Sequence, residues 1–368
     1  MPTSTAAALR GVAASPFRFL GKSFIPYLGL AALIAMFSVS TLATSAFLQR
    51  PLDYGMAARL SQLYSVMVPV FLGLLLIGAF VRMALIEKPA SPSRHLAQKI
   101  RAFFGDADRL VGIAIMSFLV VLFMANFGFM KDSIPLLHPF SWDSAFHKLD
   151  RLLFAGTDPW RLTFAIFGTP LATTAINAVY HAWVFVIYLF LLAAVCSVLE
   201  RRTKIVFLYA FMFTWMIGGV LLAIVFSSAG PVYFARLGLG SDFAPLMNTL
   251  RQFNDVSPVW SLTVQEMLWD SYSGKSSMLS GISAMPSMHV ASTTIVTLLA
   301  YRINRKFGHL MLAFTALIFI GSVHLGWHYA ADGLLGILVA IASWHAAEWV
   351  ATRDEAFQRW ALGRAEAD

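Results

Sequence analysis

The sequence predicts an all-α, polytopic membrane protein with about eight transmembrane helices. Of its 368 residues, 58% are hydrophobic and only 12% are charged, whereas soluble domains carry about 45–50% apolar and about 25% charged residues. So little charge cannot cover the surface of a soluble enzyme, and so much apolar surface excludes a disordered chain. Intervals without Asp, Glu, Lys or Arg mark the candidate spans: 23–49, 60–81, 110–130, 162–199, 205–235, 276–301, 307–331 and 333–347.

Two of these intervals need adjustment before they become helices. A helix crosses the hydrocarbon core with about 20 apolar residues, so 162–199 is too long for one span, and Gly168-Thr169-Pro170 interrupts it. We therefore predict a span over about 173–199 that follows an interfacial segment over 160–170. The last interval is short, but Trp344 and Trp349 suit a membrane interface and favour a helix from about 333 to 350.

The distribution of basic residues predicts the orientation, because cytoplasmic loops of membrane proteins are rich in Lys and Arg. With the N-terminus inside, the inner segments hold 18 basic residues and the outer segments hold 9, although the outer loops are longer. Both termini are therefore predicted to be cytoplasmic, and the outer loops periplasmic or luminal. Arg10, Arg18 and Lys22 precede an apolar run too long for a signal peptide, which predicts a retained first span. The net charge of +8 reflects these loops and does not indicate a nucleic-acid partner.

This topology divides the chain into four regions. Residues 1–130 form an N-terminal membrane region of three spans, the third belonging to the core; 131–172 form an outer loop; 173–350 form the membrane core; and 351–368 form a cytoplasmic tail. A second long outer loop covers about 230–285. Loops this long usually carry structure of their own, and we predict short interfacial helices in both. Their amphipathic residues are Phe146, Leu149, Leu152 and Leu153, then Val259, Trp260, Leu262, Met267, Leu268 and Trp269.

Two polar segments at the ends of predicted spans are candidates for chemistry, since ionisable residues at membrane depth are costly and usually functional. One is Met285-Pro286-Ser287-Met288-His289, and the other runs from Ser322 to Asp332. His289 and His328 are 39 residues apart, which is about 58 Å of helix or two membrane crossings. A helical hairpin therefore returns His328 to the depth of His289. His328 and Asp332 are four residues apart and share a face if that stretch is helical.

Two histidines and a carboxylate suit phosphoryl transfer by a covalent route. One imidazole attacks phosphorus while the carboxylate holds its tautomer, and the second imidazole protonates the leaving oxygen. Pro286 and Ser287 fit the start of a helix, whose free N–H groups favour a phosphate. Such a route requires no metal and no other cofactor.

At these residues the sequence resembles the type 2 phosphatidic acid phosphatase superfamily, whose second motif is Pro-Ser-x-His and whose third ends in His-x-x-x-Asp. The inositol phosphorylceramide synthase branch is most similar, because it pairs Pro-Ser-Leu-His with His-Tyr-x-x-Asp. The stretch Leu-Asp-Arg-Leu-Leu-Phe-Ala-Gly-Thr-Asp-Pro at 149–159 is similar to that branch's segment ahead of the catalytic core. The resemblance covers about 140–350 and implies a six-helix catalytic core.

The resemblance also implies roles and substrates. His328 would be the nucleophile, Asp332 its orienting partner and His289 the general acid and base. The implied reaction moves a phospho-head group from a phospholipid donor, such as phosphatidylinositol, to the hydroxyl of a lipid acceptor, such as ceramide, through a phosphohistidine. The alternative is a lipid phosphate phosphatase that acts on phosphatidate or a polyprenyl diphosphate with the same three residues.

Departures from the superfamily pattern favour the synthase branch. The phosphatases proper carry a Lys-x6-Arg-Pro motif ahead of the other two, and we find none; the arginine position of the third motif is Ser322. Two phosphate-binding cations are therefore missing, as they are in the synthase branch. Arg236, at the start of the loop after the fifth span, is a candidate replacement. Ser287, Tyr329 and His324 are further candidates for substrate binding.

Other interpretations stay open beside this one. His324, His328 and Asp332 have a spacing typical of metal ligands, but a metal site needs further ligands, and His324 equally suits packing or support of His328. Two histidines at one depth also suit structural hydrogen bonds between helices. A transporter predicts charged or broken helices at the bilayer midplane, whereas these spans carry carboxylates only at their outer ends.

Overall fold

The described part of the chain is helical, and no strand occurs in it. The computed structural model describes residues 24–52, 55–196, 198–275 and 281–365, so Arg10, Arg18 and Lys22 lie outside the described residues. Its helices are α1 (Leu28–Phe47), α2 (Gly55–Arg82), α3 (Pro92–Phe104), α4 (Ala107–Leu137), α5 (Asp143–Leu153), α6 (Pro159–Phe167), α7 (Pro170–Val195), α8 (Arg201–Phe213), α9 (Ala244–Asn254), α10 (Trp260–Tyr272), α11 (Met288–Ile303), α12 (Arg305–His324) and α13 (Ala330–Ala365).

Seven of the described helices are long and apolar enough to cross a membrane: α1, α2, α4, α7, α8 with its continuation, α12 and α13. Helix α11, the counterpart of the predicted span 276–301, has only 16 residues and lies at the centre, packed against α7, α8, α12 and α13. The prediction of an all-α polytopic membrane protein is confirmed.

Helix boundaries differ from the predicted spans in two places and agree with them at Gly168. The break at Gly168 occurs as predicted, since α6 ends at Phe167 and α7 begins at Pro170 with Thr169 as its N-cap. Helix α13 continues to Ala365, so most of the predicted 351–368 tail continues the last helix. Helix α3, between α2 and α4, was not predicted; it exposes a polar face to solvent and contains no buried residue.

Helix α8 widens where it passes the centre of the bundle. It continues as a π-helix over Thr214–Leu222 and a last turn over Ala223–Val225. A Cβ atom at Gly219 would lie 2.6 Å from the Phe127 ring, and one at Gly218 would lie 3.3 Å from the sulfur of Met288. The two glycines therefore let α8 approach both α4 and the start of α11, and π-helical turns of this kind often accompany functional sites.

Helices α5, α6, α9 and α10 cover one end of the bundle, which we call the capped end. They lie in the two loops for which short interfacial helices were predicted. Helix α5 exposes Leu149, Leu152 and Leu153 but buries Phe146, so its leucines form an outward apolar face. Such a face suits contact with the boundary of a membrane.

Candidate active site

His328 lies in the turn between α12 and α13, and Asp332 lies in the first turn of α13. Both side chains are buried. The Nδ1 atom of His328 is 2.9 Å from the carbonyl oxygen of Ala284 and 3.2 Å from Oδ2 of Asp332. Because a carbonyl oxygen only accepts, Nδ1 carries the proton and Nε2 keeps its lone pair. In this tautomer the lone pair of Nε2 is the part of His328 that can act as a nucleophile.

Backbone hydrogen bonds fix the carboxylate and join it to the second motif. Oδ2 of Asp332 accepts the N–H of Tyr329 at 3.0 Å. The N–H of Ser287 donates to the carbonyl oxygen of Asp332 at 2.9 Å, while the Ser287 hydroxyl accepts the N–H of Val290 and caps α11. Ser287, a predicted substrate-binding residue, is fully buried and ties the start of α11 to the start of α13.

His289 faces His328 from the first turn of α11. Its ring lies between Tyr180 and Trp183 of α7, with ring centroids 4.5 Å and 4.1 Å away. Trp183 is held in turn, because its Nε1 donates to the hydroxyl of Ser292 at 2.8 Å. The ring centroids of His289 and His328 are 5.9 Å apart and the rings are inclined by 64°. A phosphoryl group attacked by His328 would therefore lie within reach of His289.

Lys131 of α4 is a cation of this site that the sequence analysis missed. Its ammonium group donates to the carbonyl oxygen of Ser283 at 3.3 Å, and the next residue, Ala284, binds His328 through its own carbonyl oxygen. Its side chain packs on Gly281, where a Cβ would lie 2.8 Å from Cγ of Lys131 and φ is +97°. Lys131, a half-buried residue, is therefore held against the segment that carries Ala284, the backbone partner of His328.

A sequence signal for Lys131 does exist. Lys131 and His138-Pro139 have the spacing of Lys-x6-Arg-Pro, with histidine at the arginine position. A search for the arginine form of the motif does not find this variant. The structure thus holds a lysine near the site, where the sequence analysis expected no cation from the first motif.

Two other predicted substrate-binding residues, Arg236 and Tyr329, are held by neighbours at the capped end. Arg236 forms an ion pair with Glu266 and lies 5.3 Å from the centre of the Trp269 ring. Tyr329 is 1% exposed, and its hydroxyl donates to Oδ1 of Asp143 at 3.0 Å. Both side chains therefore support the loops around the site.

His324 has partners of its own away from His328. Its Nε2 lies 2.9 Å from the Thr173 hydroxyl and its Nδ1 lies 3.0 Å from the Thr163 hydroxyl. Its ring stacks on Phe164 with 4.2 Å between centroids. Helix α12 ends at this residue, so the His-x3-His-x3-Asp run does not lie on one helix face. Within the described residues, no three His, Cys, Asp or Glu side chains are placed to share a metal ion.

The comparison with protein families agrees with this geometry. A family model described as PAP2 superfamily matches residues 144–346, which is more than half of the chain and includes His289, His328 and Asp332. The chain belongs to the PAP2 superfamily. PAP2 proteins are phosphatases or phosphotransferases, and the long apolar helices make this PAP2 protein an integral membrane protein. Neither the curated proteins nor the solved structures compared with the chain gave a match.

Proposed function

We propose that this PAP2 protein is a lipid phosphotransferase that moves a phospho-head group from a phospholipid to the hydroxyl group of a second lipid. The observation that carries the proposal is the pair of histidines 5.9 Å apart, in which Nε2 of His328 is free to attack. Phosphatidylinositol is the proposed donor and ceramide the proposed acceptor, because the two site motifs resemble those of the inositol phosphorylceramide synthase branch.

In the first step, Nε2 of His328 attacks the phosphorus atom of the donor. An N–P bond forms, the P–O bond to diacylglycerol breaks, and the leaving oxygen takes a proton from His289. The imidazole of His328 gains positive charge as it attacks. Ala284 and Asp332 accept its Nδ1–H and so stabilise that charge.

In the second step, the acceptor hydroxyl gives its proton to His289, and its oxygen attacks the phosphorus atom. The N–P bond breaks, a P–O bond to the acceptor forms, and His328 returns to its neutral form. Both histidines are then back in their starting protonation states. His289 therefore acts as the acid in the first step and as the base in the second.

We assign to Lys131 the binding of the non-bridging phosphate oxygens. Its ammonium group donates to the carbonyl oxygen of Ser283, the residue before Ala284, whose carbonyl oxygen binds His328. A charge-assisted hydrogen bond from a fixed donor stabilises the negative charge of a phosphoryl transition state. Lys131 takes this role in place of Arg236.

The excess of basic residues in the predicted inner segments supports an orientation with both termini in the cytoplasm. The capped end and the histidine pair would then face the periplasm or the lumen. A plasma membrane or a bacterial inner membrane fits this orientation.

Hydrolysis of a lipid phosphate is a second candidate, favoured by one observation. Lys131 and His138-Pro139 keep the spacing of the first phosphatase motif, and Lys131 binds the carbonyl oxygen of Ser283, one residue before the backbone partner of His328. In this reaction water replaces the lipid hydroxyl in the second step. Phosphatidate or a polyprenyl diphosphate would be the substrate and inorganic phosphate the product.

A two-substrate assay separates these candidates. Purified protein in detergent receives fluorescent ceramide with mixed phospholipids in one reaction and fluorescent phosphatidate in another. Each reaction is repeated with EDTA and with the His328→Ala variant. His309→Ala is the matched control, because His309 is an exposed histidine bonded to Tyr301 and the substitution is identical.

The proposal predicts a phosphorylated ceramide product that His309→Ala retains and His328→Ala abolishes. Omitting one phospholipid at a time then identifies the donor. Release of phosphate from phosphatidate without a ceramide product would replace transfer by hydrolysis. Product formation that persists in His328→Ala would contradict both candidates.

A further inference from the structure

Helix α5 buries two carboxylates on one face. Asp143 and Asp150 are seven residues apart, which is nearly two helical turns, and Phe146 and His147 complete the buried stripe. Burying a carboxylate costs free energy unless hydrogen bonds replace its water. The partners of these two carboxylates therefore indicate what α5 does.

Asp150 binds the first turn of α13. Its Oδ2 accepts the N–H of Ala330 at 2.7 Å and its Oδ1 accepts the N–H of Ala331 at 2.8 Å. N–H groups at the start of a helix have no partner within that helix, and their partial positive charge favours an anion. Because Asp332 follows directly, Asp150 fixes the turn from which Asp332 reaches His328.

Asp143 binds two separate segments near the site: the backbone at Ala229 and Gly230, and the side chain of Tyr329. Its Oδ1 accepts the hydroxyl of Tyr329 at 3.0 Å and the N–H of Gly230 at 2.8 Å. Its Oδ2 accepts the N–H of Ala229 at 2.9 Å. Tyr329 directly follows His328 in the chain, so one of these bonds holds the residue next to the nucleophile.

The segment around Ala229, which Asp143 binds, is also connected to His328 by hydrogen bonds. The carbonyl oxygen of Ser228 accepts the N–H of Ala284 at 2.8 Å. The carbonyl oxygen of Ala284 in turn accepts Nδ1–H of His328. Two hydrogen bonds, from Ala229 N–H to Asp143 and from Ala284 N–H to Ser228, thus connect Asp143 to Ala284, whose carbonyl oxygen sets the tautomer of His328.

We propose that Asp143 and Asp150 are positioning residues, through which α5 holds the His328 turn in register with Ala284 and Asp332. Neither carboxylate touches the reacting atoms, and their effect on catalysis rests on the proposed function. Their effect on how well ordered the His328 turn is does not depend on the proposed function.

The charge of the carboxylates supports this role. A backbone N–H donates to each oxygen of both carboxylates, so all four oxygens are acceptors. Burial raises the pKa of Asp143 and that of Asp150, the latter to about 6, which leaves Asp150 mostly ionised at pH 7. An asparagine has nearly the same size but one acceptor, and its amide N–H₂ would face a backbone N–H. Each Asp→Asn change therefore replaces one hydrogen bond by a contact between two donors.

The test compares Asp143→Asn and Asp150→Asn with Asp354→Asn. Asp354 is a matched control because it is also buried and accepts the hydroxyl of Tyr209 at 3.0 Å, but it lies far along α13 from Asp332. Two quantities are measured: kcat and KM for the lipid reaction, and hydrogen–deuterium exchange of backbone amides. Tyr329→Phe is a milder variant that removes one bond to Asp143 and leaves the carboxylate in place.

We expect faster exchange in peptides covering 326–334 for Asp150→Asn, and in those covering 226–234 and 326–334 for Asp143→Asn. Both variants should lose about 10-fold to 100-fold in kcat, as misplaced catalytic groups do, while KM stays within about twofold. Tyr329→Phe should show the same changes in exchange and kcat, but smaller ones. Asp354→Asn should change neither exchange in these peptides nor kcat.

Unchanged exchange in both peptides, or an equal effect of Asp354→Asn, would overturn the proposal. A rise in KM at constant kcat would also overturn it, because that pattern belongs to a substrate-binding residue. If the wild-type protein converts no lipid, the proposed function fails, and the exchange data alone decide whether Asp143 and Asp150 order the His328 turn. Should an Asp→Asn variant fail to fold, Tyr329→Phe decides the role of Asp143 by the same two measurements.

Discussion

The Nδ1 atom of His328 lies 2.9 Å from the carbonyl oxygen of Ala284, closer than its 3.2 Å separation from Asp332. A peptide carbonyl therefore fixes the tautomer of the nucleophile together with the carboxylate. In a triad whose histidine depends on one aspartate, an Asp→Asn change lowers kcat about 10⁴-fold through the wrong tautomer. Because Ala284 also accepts Nδ1–H here, the tautomer of His328 depends less on Asp332.

We therefore predict an intermediate defect for Asp332→Asn. Its kcat should fall by about 100-fold, clearly less than the loss in the triad case, since Ala284 still accepts Nδ1–H. Steady-state kinetics of Asp332→Asn and His328→Ala measured side by side provide the test. Equal losses in the two variants would show that Ala284 does not hold the tautomer.

The general-acid role of His289 predicts a dependence on the leaving group. In His289→Gln, reaction of a lipid phosphodiester should become slow because the alkoxide leaves without a proton. An aryl phosphodiester, whose leaving oxygen needs no protonation, should still phosphorylate His328. Rapid-quench measurement of phenol release gives the first-step rate for both substrates, with His309→Ala as the control. An equal slowing for alkyl and aryl leaving groups would contradict the acid role.

Lys131 is expected to control the affinity for phosphate-like inhibitors. Loss of a hydrogen bond to a charged group costs about 1.5–3 kcal/mol, so Lys131→Met should weaken inhibition by orthovanadate by roughly 10-fold to 100-fold. Arg236→Ala should leave the inhibition constant unchanged, because Arg236 is paired with Glu266. The reverse result would return the phosphate-binding role to Arg236.

Titration of Asp150 should appear in the pH dependence of stability. Burial raises the pKa of Asp150 to about 6 in the folded chain, against about 3.9 for an unperturbed aspartate. A carboxyl shifted upwards stabilises the fold fully below the unfolded pKa, and this contribution is lost as pH rises through about 6. Between pH 4 and pH 7, the melting temperature of the wild type should thus fall more than that of Asp150→Asn.

Thermal melts in detergent across this pH range measure the difference. Asp354→Asn, which keeps Asp150, should follow the wild-type curve. Parallel curves for the wild type and Asp150→Asn would mean that Asp150 titrates at the same pH in the folded and unfolded chains.

Sequence reasoning was most reliable where local patterns determine the structure. Apolar run lengths predicted the seven described helices that are long enough to cross a membrane, and Gly168-Thr169-Pro170 predicted the break between α6 and α7. The 39-residue separation of His289 and His328 predicted two residues at one depth, because helix rise and membrane thickness together fix the geometry of a hairpin.

What the sequence did not predict depends on contacts between distant segments. The bonds from Asp150 to the start of α13 join residues about 180 positions apart, and no periodicity encodes such a pair. The spacing of His324, His328 and Asp332 suited metal ligands, but the chain leaves the helix after His324, so His324 and His328 have different surroundings. Lys131 was overlooked because its motif has a histidine at the arginine position.

The central claim is that a phospho-head group is transferred to Nε2 of His328, and covalent labelling tests it most directly. The protein is incubated briefly with phosphatidylinositol labelled in its head group, quenched in alkali, digested and analysed by mass spectrometry. The account predicts a base-stable, acid-labile adduct on the peptide that contains His328. The label should leave when ceramide is added and be absent from His328→Ala. Turnover without any adduct in the wild type, or an adduct that persists in His328→Ala, would contradict the account.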